Sequence, residues 1–269
     1  MGEATVEDWQ RLPIGAYAPT AGQKFLIDLA RAATYVGLSL RRSANRWTQR
    51  LRVGPIDYDL FGLTVRFCAH RAARDREALF GARVFDRPER EAIVETLPPN
   101  GVFLDIGSNI GVYSLFVAAM RPDARIFAFE PLQDASDRLR FNAARNGLSN
   151  RLIVKPMALG DRTGMLRFNV SRESAVLGDG DVEVPCDTLS NFARTEGLTH
   201  IDAIKIDVEG FEDRVLFPFF AEAAETLWPG VVVIETIMPD IWEQDCVALL
   251  HRHGYKAIRD HGFNTVYRR

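Results

Sequence analysis

Beyond Gly101 the chain alternates between short apolar runs and segments whose apolar residues recur at helical spacing. VFLDI (102–106) reads as a strand, Ile110 to Met120 as a helix, RIFAFE (125–130) as a strand and Gln133 to Asn146 as a helix. Strands follow at LIV (152–154) and IDAIKI (201–206), then a helix from Glu212 to Glu225 despite Pro218. VVVIE (231–235) is a strand, Ile241 to His253 a helix, and YKAI and NTVYR close the chain as two strands around a turn at Asp260 to Gly262. Strands separated by helices connect through right-handed crossovers into a mainly parallel sheet, whereas two strands joined by a short turn pair antiparallel. The expected class is α/β, a mainly parallel sheet with an antiparallel C-terminal edge. Residues 156–190 break the alternation: MLRFNV and DVEVPCDTL read as two extra strands joined by a polar loop, SRESAVLGDGD.

The first hundred residues follow a different pattern. Residues 22–46 read as one amphipathic helix, with Phe25, Leu26, Leu29, Ala33, Val36 and Leu40 near helical spacing. IDYDLFG and LTVRFC form a candidate hairpin, and Arg87 to Leu97 a helix ending at the turn Pro98-Pro99-Asn100-Gly101. The chain therefore divides into an N-terminal helical and hairpin extension, residues 1–86, and a sheet domain, residues 87–269.

Composition narrows the class. A chain of 269 residues, 47% hydrophobic and 26% charged, is globular and long enough to bury a core without staples. Cys68, Cys186 and Cys246 form no CxxC, and the five histidines show no metal spacing, so neither a disulfide framework nor a zinc site is expected. The acidic N-terminus lacks the apolar core of a secretory signal, and Phe25 to Leu40 is interrupted by Asp28 and Arg31. A cytoplasmic location is the expectation. Net charge is −3, yet residues 31–76 carry ten Arg against three Asp. That segment is either a solvated face or a surface that meets an anionic partner, substrate or membrane. No nucleic-acid-binding signature accompanies it.

Three motifs carry chemistry. Asp105-Ile106-Gly107-Ser108-Asn109-Ile110-Gly111 joins the first strand of the sheet to its helix, where ligands bind in open α/β sheets. Gly107 permits a tight turn, Asn109 tolerates a left-handed conformation, and Gly111 permits close packing of the helix. A dinucleotide site needs further glycines, which Asn109 and Val112 replace, so a nicotinamide-dependent oxidoreductase is the weaker alternative. A nucleoside with an amino-acid tail fits better, with Asp105 pairing with its ammonium group. Glu130 ends the next strand and is placed to accept bonds from both ribose hydroxyls. Lys205-Ile206-Asp207-Val208-Glu209-Gly210-Phe211-Glu212 brings a cation and carboxylates to the same rim, since Lys205 and Asp207 share a strand face. Glu235 points the same way. These residues could position a substrate, abstract a proton or, with Asp207, Glu209 and Glu235 together, hold a divalent metal.

LDIGSNIGVYSLF, FAFEP, ALGDRTG and IDAIKIDVEGFEDRVL together resemble the FkbM family of S-adenosylmethionine-dependent methyltransferases over about residues 87–269. The resemblance implies a Rossmann-like seven-stranded methyltransferase sheet. It also implies O-methylation of a hydroxyl on a sugar, glycan, glycolipid or secondary metabolite. By position it places Asp105, Gly107, Asn109 and Gly111 at the methionine end of the cofactor, with Ser108, Tyr113 and Ser114 in the same cofactor-binding set. Glu130 and Pro131 fall at the ribose, Met157 and Ala158 at the adenine, and Asp207 beneath the transferable methyl. Asp207 or Glu209 is then the candidate base, or both orient the hydroxyl with Lys205; Glu212 belongs to the same acidic cluster. Ser108 stands where Ala is commoner, and Thr236 where His is frequent. A non-catalytic cofactor-binding scaffold is the remaining alternative.

Overall fold

The structure is a computed structural model and describes residues 8–38, 40–81, 84, 86–170, 175–177, 180, 182–236, 239–260 and 263–269. The extension holds α1 (Asp8–Arg11), α2 (Ala21–Tyr35), α3 (Arg41–Leu51), the hairpin β1 (Ile56–Leu60) and β2 (Leu63–Phe67), and α4 (Ala73–Gly81). Then come α5 (Arg87–Thr96), β3 (Val102–Ile106), α6 (Val112–Met120), β4 (Arg125–Phe129), α7 (Gln133–Arg145) and β5 (Leu152–Lys155). A small sheet follows, made of β6 (Ala158–Gly160), β7 (Gly164–Val170), β8 (Ala175–Leu177) and β9 (Val182–Thr188). The chain ends with α8 (Leu189–Thr195), β10 (Ala203–Ile206), α9 (Glu212–Glu222), β11 (Val231–Glu235), α10 (Cys246–Arg252), β12 (Lys256–Asp260) and β13 (Asn264–Arg268).

Seven strands form the main sheet in the order β12-β13-β11-β10-β3-β4-β5. The five from β11 to β5 are parallel, and β13 runs antiparallel to both β11 and β12. This is the expected class and edge. The parallel strands are buried on both faces, hence their nearly unbroken apolar sequence. Phe103, Ile126, Ala128 and Val233 face a core shared with Ile27, Phe67 and Phe80 of the extension. Leu104, Phe127, Phe129, Ile204 and Ile206 face Phe192 and Phe219 on the other side. β10 lies beside β3 with Lys205 opposite Asp105, so a cation and an acid become neighbours at the sheet's centre.

Several elements differ from the sequence expectation. The helix expected over 22–46 is two helices. Gly37, at φ 75°, ends the first: its N–H donates to Thr34 O at 3.1 Å, and Leu38 N–H to Ala33 O at 3.0 Å. This is a left-handed C-terminal cap, which spacing alone does not announce. The face is also different. Gln23, Ile27, Ala30 and Ala33 are buried, whereas Phe25, Leu29, Val36 and Leu40 are exposed. The last long helix begins only at Cys246, because the Asp245 side chain accepts from Ala248 N and caps it there; a short 3₁₀ turn, Pro239–Ile241, precedes it. The helix through Pro218 stops at Glu222, and the strand expected at 201–206 starts at Ala203. The two extra strands prove to be part of a four-stranded sheet, with β8 inside the polar loop. Residues 171–174, 178, 179 and 181 of that loop, and 261 and 262 of the final turn, lie outside the described residues.

The extension is tied to the sheet domain by buried polar contacts. Arg66 is fully buried, pairs with Asp57 at 2.6 Å, and donates to the carbonyls of Trp9, Leu12 and Pro13. Arg66 N–H donates to Asn142 Oδ1 of α7 at 2.9 Å, and Thr64 N–H to Asn146 Oδ1 at 3.0 Å. Arg90 of α5 sits between the Phe61 and Phe116 rings, at 4.9 and 5.0 Å. Two of the ten arginines in the basic segment, Arg31 and Arg66, are thus internal braces; Arg31 donates to Leu79 O and Asp59 O. Among the described residues no helix is long and apolar enough to cross a membrane.

Candidate active site

A cavity of about 430 Å³ opens at the C-terminal ends of β3, β4, β10 and β11. Its floor is the β3–α6 turn. Gly107, Asn109 and Gly111 have φ of 75°, 49° and 79°. These are left-handed conformations, which glycine adopts freely and asparagine tolerates better than most residues. The N–H groups of Gly107 and Ser108 donate to Phe129 O, at 3.0 and 2.9 Å, which fastens the turn to β4.

Most residues expected to bind the cofactor line this cavity: Gly107, Ser108, Asn109, Tyr113, Glu130, Pro131, Met157, Ala158 and Asp207. Asp105, Gly111 and Ser114 stand behind the wall. A Cβ on Gly111 would lie 2.2 Å from Leu139 Cδ1, so its role is to let α6 approach α7. Ser114 donates to Asp105 Oδ2 from its N–H at 3.0 Å and from its hydroxyl at 2.6 Å. Burial pushes the Asp105 carboxyl up, while Lys205 and Ser114 oppose the shift.

Glu130 accepts from Asn109 N–H at 2.9 Å through one oxygen and from Leu132 N–H at 2.8 Å through the other. Burial nevertheless pushes its carboxyl up to about 7. Each oxygen retains a lone pair for a further donor. The buried Asp105 Oδ1 and Ser108 Oγ have no hydrogen-bond partner among the described residues. Buried polar atoms without partners are rare and costly, so these two are fitted to a polar ligand. A nucleoside bearing an amino acid supplies what the wall lacks: a donor or acceptor for Ser108 and hydroxyls for Glu130, with the Asp105 carboxyl behind the turn favouring an ammonium nearby. The residues present fit S-adenosylmethionine.

Across the cavity lies the acidic rim. Lys205 Nζ donates to Gly107 O and to Asp207 Oδ2, both at 3.1 Å. Burial alone would lower the Lys205 ammonium, but Asp207 and Asp105 hold it above its ordinary range. Burial alone would raise Asp207, but Lys205 and Arg74 hold it below the carboxylate range. Glu235 is pushed up to about 8 by burial and by the Asp207 charge, and shares a hydrogen bond with Asp207. The two carboxyls are thus driven apart, Asp207 toward the charged form and Glu235 toward the neutral one. Glu209, at φ 57°, is raised by burial and by Asp207 and lies 3.8 Å from Arg74.

Glu212, expected in the acidic cluster, plays another part. Its Oε1 accepts from Val208 N–H at 2.8 Å and its Oε2 from Trp242 Nε1–H at 2.7 Å. It braces the loop that carries Asp207 and Glu209. Arg74 and Glu77, from α4, also line the cavity, as does Asp86. None of the three stands in a motif that carries chemistry, and they reach the cleft only through packing; the only local signal is an i,i+3 Arg–Glu pair. Among the described residues no group of three or more His, Cys, Asp or Glu is placed to hold a metal ion.

Comparison with known proteins gives a consistent picture. The methyltransferase FkbM domain model matches residues 105–263. The chain is 26% identical over 231 residues to 31-O-demethyl-FK506 methyltransferase FkbM of Streptomyces tacrolimicus, covering 71% of this chain and 86% of that protein. It is 30% identical over 206 residues to methyltransferase sdnD of Sordaria araneosa, covering 62% and 78%. Over 141 residues it is 30% identical to 2-O-methyltransferase NoeI of Sinorhizobium fredii, covering 44% and 57%. Among solved structures, the METTL16 methyltransferase domain aligns with a TM-score of 0.48 at 12% identity, covering 91% and 78%.

Proposed function

The chain belongs to the FkbM family of S-adenosylmethionine-dependent methyltransferases, and from that premise we propose that it methylates a hydroxyl oxygen of a sugar, glycan, glycolipid or secondary metabolite, with Asp207 receiving the proton. When bound, the cofactor supplies an activated methyl group. Two relatives are named for transfer to oxygen, which supports the choice of atom.

The observation that carries the reading is the state of Asp207. Its carboxylate faces the cavity and accepts from Lys205 Nζ at 3.1 Å, which with Arg74 holds it toward the charged form, while burial and the Asp207 charge push Glu235 beside it toward the neutral form. A fixed carboxylate here orients an acceptor hydroxyl and takes its proton as the oxygen attacks. Lys205 keeps Asp207 charged and locks it against the cofactor turn. Glu209 and Arg74 stand at the same rim, where they can hold the acceptor's other polar groups. Lys205 already supplies positive charge among these acids, so turnover is expected to resist EDTA. The exposed arginines of the extension add a second partner class to this reading, an anionic surface.

The test is transfer of labelled methyl from S-adenosylmethionine to a panel of hydroxyl-bearing sugars, glycolipids and metabolites, with NAD⁺ as a binding control. The reading expects transfer to at least one class and its loss in Asp207→Asn with cofactor binding retained. Cofactor binding with no transfer across the whole panel would favour the scaffold alternative. Full turnover by folded Asp207→Asn would remove the assignment of the base.

A further inference from the structure

The α2–α3 hairpin turns an apolar stripe outward. Phe25, Leu29 and Val36 lie on one side of α2 and its cap; Phe25 is 66% and Val36 73% exposed. Trp47 and Leu51 of α3 are 53% and 55% exposed. The two sets adjoin: a Cβ on Gly22 would lie 3.0 Å from Leu51 Cδ1. Gln23 Nε2 donates to Thr48 O and Arg52 O, pairing the start of α2 with the end of α3. The hairpin thus buries Gln23 and Thr48 while exposing its largest apolar side chains. A contiguous apolar face of this kind marks an interaction surface.

Beside the stripe runs a basic ridge. Arg42, Arg46 and Arg50 follow at four-residue intervals on α3, and Arg76 of α4 faces them across an open cavity of about 600 Å³. Among the described residues no carboxylate lines that cavity, and none of the four arginines makes an ion pair with one. Asn45 Oδ1, Gln49 Nε2 and His70 Nδ1 are buried there with no hydrogen-bond partner among the described residues. Arg50 stacks on Trp47 at 4.7 Å, joining ridge to stripe.

We propose that this face docks the protein on an anionic lipid bilayer, the arginines meeting headgroup phosphates and the stripe entering the headgroup layer. The proposal deepens the reading of an anionic partner and is independent of the methyl-transfer chemistry. Unopposed arginines beside exposed Phe, Leu, Val and Trp are the paired signals of an interfacial helix. A soluble polyanion would leave the apolar stripe in water. α4 contributes Arg76 to this cavity and Arg74, Glu77 and Ala78 to the cleft, so docking would hold the cleft close to the membrane.

The experiment is sedimentation of the full chain with phosphatidylcholine vesicles, with and without phosphatidylglycerol, together with tryptophan fluorescence. Binding is expected only to the anionic vesicles, with a blue shift absent in Trp47→Phe. Arg46→Gln with Arg50→Gln should weaken partitioning about 25-fold, roughly fivefold per arginine. Phe25→Ser with Leu51→Ser should weaken it by at least about tenfold. S-adenosylmethionine affinity in each variant reports the fold, and loss of methyl transfer elsewhere would leave vesicle binding unchanged. Three results would overturn the proposal: no vesicle binding; saturable binding of inorganic diphosphate without vesicle binding; or self-association that buries Trp47 without lipid.

Discussion

Gly107 and Asp207 meet backbone to backbone: a Cβ added to Gly107 would lie 1.8 Å from the Asp207 carbonyl oxygen. Lys205 bridges the same two residues, donating to Gly107 O and to the Asp207 carboxylate. The floor of the cavity and the acidic rim are therefore one mechanical unit. Gly107→Ala cannot fit without moving the rim, and its φ of 75° adds strain of roughly 1–2 kcal/mol. Calorimetric titration should show S-adenosylmethionine affinity reduced by at least about tenfold, with turnover falling further because Asp207 is displaced. An affinity and turnover like the parent's would contradict the joint.

Glu130 links cofactor binding to pH. Its folded carboxyl titrates near 7, above the ordinary 4.5, so the proton it holds stabilises the fold below 4.5 and that contribution is lost as pH rises through 7. Ribose hydroxyls donating to it would favour the charged form and expel the proton. Affinity should therefore rise with pH by up to about tenfold per unit below 7 and then level off. Titrations in buffers of different ionisation enthalpy should show proton release near pH 7. Glu130→Gln should abolish the slope and weaken binding.

The Asp207–Glu235 pair makes a different prediction for the rate. Asp207→Asn removes the negative charge, and turnover should fall by about 10²–10⁴-fold. Glu235→Gln mimics the protonated partner and should stay within about tenfold of the parent at neutral pH. In the parent, kcat should climb again as Glu235 ionises near 8, since a second charge makes the pair more basic. A pH–rate profile of Glu235→Gln lacking that second rise is the expected signature.

Arg66 and Asp57 fasten the extension. Removing one partner strands a buried charge, at a cost of about 3–5 kcal/mol. Arg66→Met also leaves three backbone carbonyls without their donor. Thermal unfolding should show a lowered Tm, and Trp9, now only 4% exposed, should become accessible to fluorescence quenchers. An unchanged Tm would mean that the segment from Trp9 to Pro13 is held by other contacts.

Much of the fold was legible because it is local. The run VFLDIGSNIG contains a strand, a turn that needs left-handed residues and the start of a helix, and each choice is visible in neighbouring residues. The antiparallel edge followed from the short link between the last two strands. Lys205 and Asp207 could be placed on one face by counting along a strand. Periodicity also found an apolar stripe in residues 22–46, but a period marks a face without saying which way it points.

The amino-acid sequence by itself determined the order of the main sheet's strands from β3 onward, the glycine turn after β3, and the strand ends that carry Glu130 and Asp207, since these depend on side chains close together in the chain. Only the tertiary structure decided that Phe25, Leu29 and Val36 face outward, that Arg74 reaches the cleft, that Glu212 braces a loop and that burial and Asp207 push the Glu235 carboxyl up. The physical reason is common to all four: burial and charge at a site are set by groups far apart in sequence, which meet only when the chain has packed.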